Sequence, residues 1–253
     1  MEKEKIRKTV RDGYAKIARE SCSCGPKAST CCGDSSSTEQ LLAEVGYTAE
    51  EIAAVPGGAL VGLACGNPLS FGKPKAGETV LDLGSGPGLD CFLAARAVGK
   101  SGRVIGVDMT PEMIDKARAN ASKGDYENVE FRLGEIENLP AADDSVDIII
   151  SNCVINLSPD KPRVFAEALR VLKPGGRLVV SDLVHLVPVP ENLRASEDLL
   201  VGCIANAEMK DRYVEMIREA GFKDVTVVQE KLYAPERLEG KIKVASIVVR
   251  GTK

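Results

Sequence analysis

The chain has 253 residues, enough for one large α/β domain with a short appendage and a substantial core. Its 33 basic and 37 acidic residues give a net charge of -4 and form no block of like charge, which argues against a nucleic-acid partner and for a small-molecule one. The N-terminal segment lacks the apolar core of a secretory signal, and no apolar run approaches the roughly 18 residues of a membrane helix, so no membrane partner and a cytoplasmic location are expected. Eight cysteines kept reduced there point to metal, metalloid or redox chemistry rather than to disulfides. A single histidine leaves few general bases near neutral pH.

In chain order, residues 2–20 read as an amphipathic helix, with Ile6, Val10, Tyr14, Ile17 and Ala18 at steps of three and four, lying on the core as a lid. Ser21 to Thr38, with Cys22, Cys24, Cys31 and Cys32 among serines and glycines, reads as a loop. Capping boxes at Ser37-Thr38-Glu39-Gln40 and Thr48-Ala49-Glu50-Glu51 open short helices. Strands are expected at Thr79–Leu83, Arg103–Asp108, Val129–Leu133, Val146–Asn152 and Arg177–Asp182, short and apolar as buried parallel strands are. Helices start between them near Leu89, at Pro111 after Thr110, and at Pro159 after Ser158, each proline at the first helical position. After a helix at Glu208–Ala220, Val225–Leu232 and Val244–Arg250 lie too close for a crossover and should pair antiparallel at the sheet edge. The pattern is a doubly wound α/β fold.

The run Val80-Leu81-Asp82-Leu83-Gly84-Ser85-Gly86-Pro87-Gly88 takes a buried strand into a glycine turn at the carboxyl edge of the sheet, where backbone N–H groups can approach a ligand. An ordinary tight turn has the same glycines. Asp108, ending the second strand, is placed to accept hydrogen bonds from two ribose hydroxyls. Asp82 ahead of the glycines would oppose a pyrophosphate and favour a cationic ligand, which counts against NAD.

Val80 to Gly88, Asp108, Glu135-Ile136 and Leu172-Lys173-Pro174-Gly175-Gly176 resemble, in order and spacing, the motifs of class I S-adenosylmethionine methyltransferases. The resemblance implies a Rossmann-like, mostly parallel seven-stranded sheet with helices on both faces. It also implies an N-terminal helical and cysteine-rich cap over residues 1–70 and a methyltransferase domain over 71–253. It assigns the methionine end of the cofactor to Gly84, Ser85, Gly86 and Gly88, the ribose to Asp108, the adenine to Met109, Glu135 and Ile136, and the border of the reacting methyl to Asn152. For Met109 and Ile136 taken alone, plain core packing is an equal alternative.

Cys153, just past the fourth strand, is well placed to face a substrate, although a lone cysteine is as a rule a small buried hydrophobe. Cys65 before the core and Cys203 after the fifth strand can converge with it, and a thiolate cluster selects soft, thiophilic ions. Ser151 to Leu157 with Ser158-Pro159-Asp160-Lys161, Asp90-Cys91, Cys65-Gly66 and Cys203 resemble the arsenite methyltransferases. That resemblance implies that Cys153 and Cys203 bind arsenic(III) from arsenite or an arsenic-thiol complex, with Cys65 as third ligand or redox partner. It further implies that Cys31 or Cys32 serves a thiol relay reopened by thioredoxin or a small thiol. Cys91 reads as packing and His185 as a loop histidine. Two rivals stand beside this: a methyltransferase acting on carbon, oxygen or nitrogen of an organic acceptor, and a zinc-binding module on Cys22, Cys24, Cys31 and Cys32, whose spacing departs from paired Cys-x2-4-Cys.

Overall fold

The computed structural model describes residues 3–20, 35–190, 196–233 and 242–253. Helices α1 (Lys3–Glu20), α2 (Ser35–Glu44), α3 (Ala49–Ala53) and α4 (Pro68–Gly72) precede a sheet of seven strands. These are β1 (Thr79–Leu83), β2 (Arg103–Asp108), β3 (Val129–Leu133), β4 (Val146–Asn152), β5 (Leu172–His185), β6 (Lys223–Tyr233) and β7 (Val244–Thr252), in the order β3-β2-β1-β4-β5-β7-β6. The first five run parallel, and β7 is antiparallel to both β5 and β6, as the short connection between the last two strands demands. Helices α5 (Leu89–Val98), α6 (Pro111–Lys123), α7 (Lys161–Val171), α8 (Glu197–Val201) and α9 (Lys210–Glu219) complete the fold.

The strand alternation explains the two layers. Leu81, Leu83, Ile105, Val107 and Ile149 face one way and join Phe165 of α7 and Tyr213 of α9. Val80, Val104, Ile148 and Ile150 face the other way and join Phe92 of α5 and Ile114 of α6. Above the carboxyl edge a third cluster joins Ile6 and Val10 of α1 to Leu199, Leu200 and Cys203, so α1 does lie over the mouth of the sheet.

Four expectations change. Helix α2 starts at Ser35, which puts Ser37 inside it rather than at its cap; the box at Thr48 and Glu51 forms as expected. Helix α7 starts at Lys161 with Pro162 in its first turn and Asp160 as N-cap, accepting from Arg163 N at 3.3 Å, because a carboxylate there satisfies a helical N–H that Ser158 is too far upstream to reach. Strand β5 is longer than the expected Arg177–Asp182, since Leu172 pairs with Val146 and the following Lys-Pro-Gly-Gly run forms a bulge. His185 ends that strand at 1% exposure with Nε2 2.9 Å from Ile204 O, so it is a core histidine and not a loop one.

Candidate functional site

A cleft at the carboxyl edge of β1, β2 and β4 encloses about 980 Å³ of space, its open mouth included. Gly84, Ser85, Gly86, Asp82, Asp108, Met109, Ile136, Asn152 and Cys153 all line it. Gly84 has φ 68°, and a Cβ there would run into the side chain of Val154, so the turn after β1 tolerates only glycine. The amides of this turn are engaged within the protein. Gly84 N and Ser85 N donate to Val107 O at 2.8 and 3.0 Å, Gly86 N to Asp108 Oδ2 at 3.0 Å, and Gly88 N to Ser85 O at 3.0 Å. The turn therefore offers a ligand close backbone approach and the buried Ser85 hydroxyl, which has no partner among the described residues, rather than a row of N–H donors.

Gly88 and Glu135 are not among the lining residues. Gly88, at φ 104°, caps α5 with Phe92 and Phe131 packed where a side chain would be. Glu135 is half-exposed and pairs with Arg7 Nε at 3.4 Å, while its neighbours Gly134, Ile136 and Glu137 face the cleft.

Electrostatics decide which ligand suits the cleft. Asp82, Asp90, Asp108 and Glu137 line it, and Arg7 is the one basic residue among the described lining residues, pairing with Glu137 at 3.4 Å. Burial, then repulsion from Asp90 and Asp108, pushes Asp82 well above the usual carboxylate range, even though Cys91 Sγ donates to it at 3.3 Å. Burial likewise pushes Asp90 up to about 6 and raises Asp108. Asp82, Asp90 and Asp108, which pair with no cation among the described residues, fit a ligand carrying ammonium and sulfonium charges and oppose a pyrophosphate, so the residues present fit S-adenosylmethionine. Cys91, expected as packing, is fully buried, and its thiol also serves Asp82.

Of the thiols, Cys153 lines the cleft, while Cys65 and Cys203 are buried beside it and are not among the lining residues. Cys65 Sγ, Cys153 Sγ and a carboxylate oxygen of Asp182 all fall within 4.8 Å of one another. Cys203 is joined to them through its thiol, which donates to Cys153 O at 2.7 Å. Contacts with the Cys203 and Cys65 thiols, then burial, push Cys153 well above the ordinary thiol range; burial raises Cys65 as well. Cys65 is clamped on every side: its N–H meets Asn152 Oδ1 at 3.2 Å, its carbonyl accepts from Ser246 Oγ at 2.5 Å, and its sulfur lies 3.5 Å from Ser181 O.

Asp182 is pushed up to about 7 by burial, but it is not a free ligand. Its Oδ1 accepts from Asn156 Nδ2 at 2.8 Å and Leu183 N at 3.1 Å, its Oδ2 from Tyr213 OH at 3.0 Å and Asn156 N at 3.3 Å. With its lone-pair directions taken, it forms an acidic wall behind the thiols. Cys31 and Cys32, with Cys22 and Cys24, lie outside the described residues.

A family model described as a methyltransferase domain matches residues 74–221. An arsenite methyltransferase of Halobacterium salinarum is 52% identical over 88% of this chain and 59% of its own length. One from Aquipseudomonas alcaligenes is 39% identical over 89% of this chain and 64% of its own. The crystal structure of an arsenic (III) S-adenosylmethionine methyltransferase from Chlamydomonas reinhardtii superposes with a TM-score of 0.69 at 36% identity, covering 85% of this chain and 73% of that one. This chain belongs to the arsenite methyltransferase family. It spans about six-tenths of the length of the two curated relatives named here.

Within this arsenite methyltransferase fold, several site residues were not singled out from the sequence. Tyr14 of α1 lines the cleft with its hydroxyl 3.9 Å from Cys203 Sγ, and burial followed by the Cys203 and Cys153 thiols raises it. Asp90 and Glu137 line the cleft, and Tyr47 stands directly behind Asp90. Tyr14 was legible only as part of an apolar helical stripe, and Asp90 only as the residue before Cys91. Among the described residues, no helix is long and apolar enough to cross a membrane.

Proposed function

We propose that this chain transfers the methyl group of S-adenosylmethionine to trivalent arsenic held by Cys65, Cys153 and Cys203, in the cytoplasm, as a detoxification step. In this reading residues 1–70 cap a catalytic unit of 71–253. The observation that carries it is the meeting of Cys153, which lines a cleft that is acidic and glycine-turned, with the buried Cys65 thiol within 4.8 Å.

The state of the thiols supports arsenite over a divalent cation. Cys153 and Cys65, raised by their neighbours and by burial, remain protonated near neutral pH. A divalent cation must displace those protons, whereas arsenous acid exchanges each hydroxyl for a thiol with loss of water: As(OH)₃ plus three thiols gives As(SR)₃ plus three waters, with no net proton released. The acidic wall of Asp182 adds to the cost of free thiolates there but not to that of a neutral tris-thiol arsenic.

When bound, S-adenosylmethionine supplies an electrophilic methyl, which the arsenic lone pair takes as the carbon–sulfur bond breaks to leave a thioether. No proton has to be removed, in keeping with a His185 whose ring is held at Ile204 O in the core. The chain's own contribution is placement: Asp82, Asp90 and Asp108 hold the cationic and ribose parts, the cysteines fix the arsenic, and α1 with Tyr14 closes water out. The methylated arsenic is formally pentavalent. Two thiols return it to the trivalent state by forming one disulfide, a role we assign to Cys31 or Cys32 with Cys65, reopened by thioredoxin or a small thiol.

The test is incubation with labelled S-adenosylmethionine, arsenite and a dithiol reductant, followed by speciation of the arsenic. Labelled methylarsenicals are expected; label on an organic acceptor with none on arsenic would overturn the reading.

A further inference from the structure

A buried hydrogen-bond path joins the acidic end of the cleft to the thiol end. Tyr47 is 3% exposed and is not among the lining residues. Its hydroxyl donates to Asp90 Oδ1 at 2.7 Å and accepts from Asn152 Nδ2 at 2.8 Å. Asn152 Nδ2 also lies 2.8 Å from Gly66 O and 3.2 Å from Asp90 Oδ2. On the far side of the same amide, Oδ1 accepts the Cys65 N–H at 3.2 Å and lies 3.7 Å from Cys65 Sγ.

These partners fix which way the amide points. Turned over, Asn152 would set its NH₂ against the Cys65 N–H and its oxygen against Gly66 O and a carboxylate, so the observed orientation is the one that sets donors against acceptors on both sides of the amide. The Tyr47 hydroxyl both donates and accepts, which lets it join an anionic acceptor to an amide donor. Inside the protein such chains are strengthened by the low dielectric and suffer correspondingly when one link is removed.

We propose that Tyr47 is a positioning residue that couples the two halves of the site: with a cation seated beside Asp82 and Asp90, Tyr47 holds Asp90 and Asn152 together so that Asn152 Oδ1 keeps Cys65 in place for the metalloid. This rests on the reading that the cleft takes S-adenosylmethionine and that Cys65 takes arsenite. Occupation of either end then favours the other, by the same factor in either order.

The experiment titrates the full chain calorimetrically with S-adenosylhomocysteine, which carries the ammonium and has no methyl to transfer, with and without saturating arsenite. In the parent chain arsenite tightens S-adenosylhomocysteine by about fivefold or more, the lower end of typical coupling. In Tyr47→Phe the factor falls below about twofold, while each ligand alone binds within about threefold of the parent. Asn152→Ala loses the coupling as well, and adding Tyr47→Phe to it changes nothing further, a non-additivity that a merely space-filling tyrosine would not produce. Should Tyr47→Phe not fold, Asp90→Asn removes the anionic partner of the same hydroxyl at equal volume and is expected to lose the coupling too. Coupling retained in the folded variant, or additive effects in the double variant, overturns the proposal with both ligands still binding. Failure of arsenite to bind the parent chain overturns instead the functional reading beneath it.

Discussion

In the proposed site Asp108 joins the fold to the cofactor, and its removal separates the two contributions. Its Oδ2 accepts from Gly86 N at 3.0 Å and its Oδ1 from Thr110 N at 2.8 Å, so the carboxylate ties the glycine turn to the start of α6. The Thr110 side chain also bonds the carboxylate, which leaves one lone-pair direction for a ribose hydroxyl. In Asp108→Ala two N–H groups beside a buried carboxylate lose their acceptor, which costs about 1–3 kcal/mol each and lowers the melting temperature. The ribose also loses a charge-assisted bond worth about 1.5–3 kcal/mol, enough to weaken S-adenosylmethionine at least about tenfold. Asp108→Asn keeps the shape and can still accept from Thr110 N, so its melting temperature falls less, while its affinity falls by a comparable factor. The assay is calorimetric titration with S-adenosylmethionine alongside thermal unfolding of both variants. A folded Asp108→Asn that binds S-adenosylmethionine as the parent does would refute the ribose assignment, leaving Asp108 a tether of the turn alone.

Cys153→Ser and Cys203→Ser each exchange a soft sulfur for a hard oxygen and are expected to abolish arsenic methylation while S-adenosylmethionine affinity stays within about twofold; activity retained in either single variant removes that cysteine from the ligand set. The Cys31→Ser/Cys32→Ser double variant is expected to spare the first methylation and slow later rounds when thioredoxin is the only reductant, so equal progress in every round would count against the relay. Gly66→Ala drives a methyl group into Ser181 Oγ, beside the Cys65 sulfur, and is expected to lose about 1–3 kcal/mol of stability that a second change, Ser181→Ala, restores. For pH, Asp182 at about 7 lies above its unfolded value near 3.9, so the folded state binds the extra proton between these values and stability falls as pH rises from about 4 to 7. Melting curves of the ligand-free chain should show this decline, and Asp182→Asn should flatten it.

The parallel strands β1 to β4 are readable to the residue because β1, β2 and β4 are largely apolar runs and β3 alternates apolar and charged residues, each stopped by glycine, asparagine or aspartate at the edge where the cleft opens. Strand β5 reads short in the sequence because Lys173-Pro174-Gly175-Gly176 has the composition of a loop; the ladder absorbs it as a bulge, which composition does not reveal. The N-terminal contributors fared worse for a different reason. Tyr14 and Tyr47 occupy positions where burial alone explains an aromatic residue, and helical periodicity reports that a side chain is buried but not that its hydroxyl meets a thiol or a carboxylate. The glycine turn was recognised for its glycines, yet its amides close onto Val107 O and Asp108, an arrangement that depends on how β2 lies beside β1.

The backbone at Cys153 accounts for how so few residues assemble the thiol end. Successive side chains on an extended strand point to opposite faces, so Asn152 and Cys153 at the end of β4 would ordinarily diverge. Cys153 instead has φ 60°, with its N–H donated to Ser181 O at 2.8 Å, and this left-handed step lets both side chains reach Cys65. One does so through Asn152 Oδ1 and the other through a sulfur within 4.8 Å. Cys203 repeats the device at φ 61°, with its N–H on Leu200 O at 3.0 Å and its thiol on Cys153 O. Each such residue costs about 1–2 kcal/mol relative to a right-handed or extended one. Glycine would relieve both positions, so the strain at two sites joined through Cys153 O is a feature that the burial of either thiol does not explain.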